Sequence, residues 1–319
     1  MRVFPRRTIN RRMSRRNALL SASVVVVLAG AAGCSTSSAK NSPTAAATTV
    51  NVVAAENFWG SIASQLGGTK ANVTTIINSP DTDPHDYEPT SNDARAMQFA
   101  QVVIVNGVGY DSWAPKLLAA APSANRAVIT VGDLVGAHAG DNPHRWYNPA
   151  DVHTVIAAIV TELKKADPKD AAYFTAQQQT FETVNLAKYN GLIADIKAKY
   201  AGTPVGASES IFAMLSPALG LDLLTPPTFL RAISEGTDPT AADKQAIDAQ
   251  IKNHAIKVYV YNSQNATPDV QTQVNAAKAA GIPVTTITET LVPATATFQD
   301  WQVAQLQSLE DALAKATGR

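Results

Sequence analysis

The sequence predicts an α/β protein built as two similar parallel-sheet lobes joined by one long helix. Three observations lead there. From residue 50 onward, short apolar runs alternate with amphipathic stretches, the order that gives parallel strands covered by helices on both faces. The alternation occurs once in residues 50–168 and again in residues 202–319. Between them, residues 171–200 contain no proline and one glycine, Gly191, which gives room for a helix of about 30 residues and roughly 45 Å. We assign residues 169–201 to this connection.

In the first lobe, residues 50–54 read as a buried strand. Phe58, Ile62, Ala63 and Leu66 follow at helical spacing and are stopped by Gly67-Gly68. Residues 73–77 form the second strand and run straight into Asp83-Pro84-His85-Asp86-Tyr87-Glu88-Pro89-Thr90. A helix over 92–100, a strand over 102–105 ended by Asn106-Gly107, a helix over 113–121 and a strand over 127–131 come next. Residues 151–167 are helical, with Val152, Val155, Ile156, Ile159, Val160 and Leu163 on one apolar stripe. The second lobe reads as strand 205–207, helix 211–219 stopped by Gly220, extended piece 221–224, a break at Pro226-Pro227 and helix 240–254. Strand 257–261, helix 268–280, strand 283–288 and helix 297–316 complete it. The two halves show no sequence repeat strong enough to establish duplication.

The N-terminus reads as an export signal over residues 1–33. Seven arginines precede residue 17, and a largely apolar run over 18–32 follows. That run is shorter than the roughly 20 residues of a membrane-spanning helix. It ends in Ala31-Ala32-Gly33-Cys34, which resembles a lipobox, with the chain's only cysteine as the lipidation site. Ser14-Arg15-Arg16-Asn17-Ala18-Leu19 resembles a twin-arginine signal with Ala18 in place of the common phenylalanine, while a start at Met13 leaves a conventional signal. Residues 34–49 are small, polar and aperiodic, a flexible tether behind the lipid anchor. The expected location is extracytoplasmic, on the outer face of the cell membrane.

Charge narrows the function classes. The chain has 26 basic and 26 acidic residues, but seven of the basic ones lie in the leader and no acidic residue precedes Cys34. The remainder carries 19 basic against 26 acidic groups, a net of −7. A body of that sign does not suit nucleic acid, whose backbone calls for a positive surface, and suits attraction of cations.

Five histidines occur. His85 sits between carboxylates in a proline-braced loop after the second strand, at the crevice where parallel sheets bind ligands. His144 has a similar frame in Asn142-Pro143-His144-Arg145-Trp146-Tyr147-Asn148-Pro149. A loop histidine is ordinarily just a solvated side chain; the repeated frame sets these two apart. His153 lies on an amphipathic helix, His254 closes one and His138 sits in a glycine-bounded segment, and none of the three reads as a primary ligand. Glu209 and Glu289 follow strands of the second lobe in the matching topological position. A helix-start acid is ordinarily a cap or dipole partner, but two histidines and two carboxylates on one cleft form a donor set for a divalent transition ion.

From about residue 50 to the end, the chain resembles the metal-binding lipoproteins of bacterial zinc and manganese ABC importers, the cluster A-I substrate-binding family. The residues that carry the resemblance are Asp83-Pro84-His85-Asp86-Tyr87-Glu88-Pro89, Pro143-His144-Arg145-Trp146 and Ser208-Glu209-Ser210-Ile211-Phe212-Ala213-Met214-Leu215. The resemblance implies metal ligands at His85, His144, Glu209 and Glu289. Manganese-type members have glutamate at the Glu209 position and zinc-type members commonly histidine. The last ligand is usually aspartate, so Glu289 departs from the pattern. Also implied are one Mn or Zn ion as transported ligand, and a partnership with an ABC permease and its ATPase. Asp86 and Glu88 are the nearest residues in sequence to orient an imidazole, and a monomer is expected. Three rivals stand beside this reading. A metallohydrolase needs an open coordination position and a base. A surface adhesin would show an exposed aromatic patch. A receptor for an organic solute needs an aromatic-lined cleft, which an aromatic content of 6% does not favour.

Overall fold

In the computed structural model, which describes residues 49–80, 82, 84 and 87–319, the chain forms two four-stranded sheets, all of whose strands run parallel. The first half runs β1 (Val50–Glu56), α1 (Asn57–Gly67), β2 (Ala71–Ile77), α2 (Ser91–Phe99), β3 (Val102–Val105), α3 (Ala114–Ala120), β4 (Ala127–Thr130), α4 (Val131–Leu134) and α5 (Pro149–Ala166). The second half runs β5 (Pro204–Ala207), α8 (Ser210–Leu219), β6 (Asp222–Leu223), α9 (Pro227–Ser234), α10 (Ala241–Lys252), β7 (Val258–Asn262), α11 (Pro268–Ala279), β8 (Val284–Ile287) and α12 (Phe298–Thr317), with α6 (Ala171–Thr180) and α7 (Ala187–Tyr200) between the halves. The strand orders are β2-β1-β3-β4 and β6-β5-β7-β8, so both sheets have the same topology. The inner strands β1, β3, β5 and β7 are largely buried because helices cover both faces there, which is why they read as apolar runs, whereas the edge strands β2, β4, β6 and β8 are only partly buried. β3 is buried along its whole length.

The connection is a helical rod made of α6 (Ala171–Thr180), a single π turn over Phe181–Asn185 and α7 (Ala187–Tyr200). An unbroken α-helix was the expectation, and the π turn corrects it. The Leu186 amide reaches back to Phe181 O, and the extra residue rephases the rod. Phe174 before it, Phe181 at its start, and Tyr189, Leu192 and Ile196 after it are all buried. A second correction concerns Pro226-Pro227. Here proline starts a helix rather than only breaking the chain, because its fixed φ suits the first helical position.

One hydrophobic core runs from Val50 and Phe58 in the first half, through Phe181 and Ile196 of the rod, to Phe212 and Leu309 in the second. Two smaller clusters fill the outer layers, one around Phe229 and Tyr259 and one around Val103 and Trp113. α12 returns along α7 and also touches α1, tying the end of the chain to the first half. The lobes thus share packed apolar surface, which opposes wide opening. No helix among the described residues is long and apolar enough to cross a membrane. The leader, the tether and Cys34 lie outside the described residues.

Candidate metal centre

His144 reaches the cleft from the turn before α5. Asn142, Pro143 and His144 form a tight loop in which Asn142 Oδ1 accepts from the His144 amide at 3.1 Å and lies 2.8 Å from His144 Nδ1. The imidazole is wholly buried. It packs edge-on against Tyr110 and Trp146, with centroid separations of 6.0 and 5.2 Å, and Trp146 stacks on Phe58 at 3.8 Å. This aromatic wall removes solvent and holds the ring neutral, pulling its pKa down to about 4, with the Glu209 charge opposing the shift.

Glu209 stands at the N-cap position of α8 but makes no capping hydrogen bond. Its carboxylate instead accepts from Asn262 Nδ2 at 2.5 Å and from Asn265 Nδ2 at 2.8 Å. Burial, and then the neighbouring Glu289 charge, raise its pKa to about 7. Glu289 follows β8, where Gln264 Oε1 accepts from the Glu289 amide at 2.7 Å and from the Thr290 amide at 3.0 Å. Its Oε1 lies 3.3 Å from His144 Nε2, across the lobe boundary. Two carboxylates that repel each other when the site is empty, facing a neutral imidazole, are a cation's environment.

Further bonds cross the same boundary. Tyr147 Oη donates to Thr288 O at 2.6 Å, Gln264 Nε2 to Pro80 O at 3.0 Å and Asn142 Nδ2 to Ser210 O at 2.6 Å. A cavity of about 570 Å³ opens here, lined by Pro80, Thr82 and Pro84 from one half and Glu209, Gln264 and Glu289 from the other.

His144, Glu209 and Glu289 are therefore brought to one cleft. His85 and Asp86 lie outside the described residues. Among the described residues, no three His, Cys, Asp or Glu side chains converge closely enough to hold an ion by themselves. Glu88 is exposed; the orienting contact to His144 comes from Asn142. His138, His153 and His254 are all exposed. Sequence reasoning missed Asn142, Asn262, Asn265 and Gln264. Of these, only Asn142 carried a signal, an Asx residue two positions before a loop histidine.

A two-lobed α/β protein with donor side chains converging from both lobes on one cleft is the class that this fold and site define. The chain belongs to the family described as zinc-uptake complex component A, periplasmic (ZnuA), which matches residues 52–312. It is 26% identical over 137 residues to the manganese-binding lipoprotein MntA of Halalkalibacterium halodurans, covering 41% of this chain and 45% of that protein. It is 24% identical over 224 residues to the zinc-binding lipoprotein AdcA of Streptococcus pneumoniae, covering 64% of this chain and 43% of that one. The chain spans about half the length of these relatives. Its fold matches that of the substrate-binding protein FpvC of Pseudomonas aeruginosa, solved in complex with Mn2+, with a TM-score of 0.68 at 21% identity, covering 84% of this chain and all of that one.

Proposed function

We propose that this protein captures a divalent transition-metal ion, Mn or Zn, between its lobes and delivers it to an ABC permease and its ATPase. His85, His144, Glu209 and Glu289 are the ligands in this reading. The observation that carries it is the contact between His144 Nε2 and Glu289 Oε1. The Nδ1 side of the ring faces an acceptor, Asn142 Oδ1, so Nδ1 holds the proton and Nε2 presents a lone pair. Two acceptors 3.3 Å apart across a lobe boundary call for positive charge between them. Two donor atoms, each about 2.0–2.2 Å from one tetrahedral ion, lie about 3.3–3.6 Å apart. Support also comes from the family membership and from the manganese and zinc relatives.

The remaining assignments go with this reading. Residues 1–33 are the export signal and 34–49 a tether acylated at Cys34, which holds a monomer on the outer face of the cell membrane. The ion bridges a lobe over 50–168 and a lobe over 202–319 that the helix of 169–201 connects. Capture needs no chemical step. An adhesin is not favoured, since the only exposed aromatic among the large exposed hydrophobics of the described residues is Phe99.

Metal analysis and thermal unfolding of the mature protein test the function. One divalent ion per chain and a melting temperature that rises with metal concentration are expected, and both should be lost in His85→Ala. A wild type that binds no ion contradicts the function. A His85→Ala variant with unchanged metal content removes His85 from the ligand set.

A further inference from the structure

We infer that Asn142 is a positioning residue with two jobs: it fixes which His144 nitrogen faces the cleft, and it latches the lobes together when no metal is bound. The inference rests on the metal-capture reading above. Its basis is the way one carboxamide is used at both ends. The His144 backbone N–H can only donate, so the Asn142 atom facing it at 3.1 Å must be the oxygen. Ser210 O can only accept, so the atom facing it at 2.6 Å must be the nitrogen. Two independent partners therefore assign the same amide orientation.

That orientation has a consequence for the imidazole. Asn142 Oδ1 lies 2.8 Å from His144 Nδ1 and can only accept there, which places the ring proton on Nδ1 and leaves Nε2 free to coordinate. The amide nitrogen meanwhile crosses to the other lobe and bonds the residue that directly follows Glu209. Ser210 is itself pinned, with its amide on Ser234 Oγ at 3.1 Å and its hydroxyl 2.7 Å from the same oxygen. The Ser210 hydroxyl also lies 3.3 Å from His144 Nδ1. Asn142 thus ties the histidine of one lobe to the α8 N-terminus that carries the glutamate of the other, through bonds between protein groups alone. Opening of the lobes must break the bond from Asn142 to Ser210.

Asn142→Asp separates the two jobs. Its carboxylate still accepts from His144 N–H and Nδ1–H but cannot donate to Ser210 O. Asn142→Ala removes both. Three readouts on the metal-free and manganese-titrated mature protein decide the matter: Mn affinity, the 15N shifts of the His144 ring and backbone hydrogen exchange over residues 204–215. Wild type should show the Nδ1–H tautomer and slow exchange. Asn142→Asp should keep the tautomer while exchange rises by tenfold or more. Asn142→Ala should lose the single tautomer and bind Mn 10- to 100-fold more weakly. If Asn142→Ala does not fold, the Asn142→Asp result alone decides: exchange at the wild-type rate overturns the latch. A folded Asn142→Ala with wild-type tautomer and Mn affinity within twofold overturns the positioning role. A wild type that binds no Mn fails the underlying reading instead, while the exchange result, read without metal, still decides the latch.

Discussion

Glu56 and Glu209 occupy equivalent places in the two halves of the molecule. Val52 to Ala54 of β1 pair with Val102 to Ile104 of β3, and Val205 to Ala207 of β5 pair with Val258 to Val260 of β7. Two residues beyond these pairs stand Glu56, the last residue of β1, and Glu209, just past β5, beside Asn106, just past β3, and Asn262, the last residue of β7. In the second half the two are bonded to each other and Glu209 faces the cleft. In the first half Asn106 turns away, accepting from Trp59 Nε1 and donating to Pro143 O, the carbonyl just before His144. Glu56 is sealed in beside Asp111. The same residue types at the same topological position thus serve as a candidate ligand in one lobe and as support for a candidate ligand in the other.

Glu56 makes a pH prediction. No ordinary donor reaches its oxygens. Burial, and then the Asp111 charge, raise its pKa well above the usual range, which favours the protonated form facing Asp111, a carboxyl that burial also raises. Asp111 is held in turn by the Asn106 and Gly107 amides at 2.7 and 2.8 Å. A folded-state pKa above the unfolded one means that stability is fullest below the unfolded value and is lost as pH rises toward the folded value. The loss is about 1.4 kcal/mol per pH unit over that window. Glu56→Gln keeps a donor for Asp111 and removes the dependence. Denaturant unfolding from pH 5 to 8 should show the wild type losing stability relative to Glu56→Gln, with the variant the more stable of the two at pH 8. Parallel pH profiles would contradict the assignment.

Glu209 should govern which ion is held. An imidazole at this position favours zinc, and a carboxylate shifts preference toward manganese. Glu209→His is expected to lower the Mn-to-Zn affinity ratio by an order of magnitude or more, read by competition dialysis at fixed pH. An unchanged ratio would remove Glu209 from the selecting residues.

Gln264 should matter to metal binding without touching metal. Its oxygen accepts from two consecutive amides at Glu289 and Thr290, and its nitrogen donates to Pro80 O and to Thr290 Oγ1 at 2.9 Å. Gln264→Ala leaves these amides without their partner, at a cost of about 1–3 kcal/mol. We expect a lower melting temperature and roughly tenfold weaker binding of Mn, from calorimetric titration. Tight binding in a destabilised variant would mean that Gln264 serves stability alone.

Much of this was legible before the fold was seen, and the reasons are physical. Parallel strands covered on both faces must be apolar throughout, so β3 and its neighbours stand out in any window. The proline frame around His144, and the placement of Glu209 and Glu289 after strands, are local patterns. The π turn in the connecting rod has no composition of its own. Asn262, Asn265 and Gln264 are ordinary polar residues until tertiary packing brings them against the carboxylates. The equivalence of Glu56 and Glu209 is written in strand register, which only the paired sheets display.

The most direct test of the central claim is X-ray absorption at the metal edge of the manganese-loaded mature protein, beside His144→Ala and His85→Ala. A ligand set of His85, His144, Glu209 and Glu289 predicts imidazole scattering from two histidines together with carboxylate oxygens, and one imidazole fewer in each variant. A shell of oxygens alone, or an imidazole contribution unchanged in both variants, would contradict it.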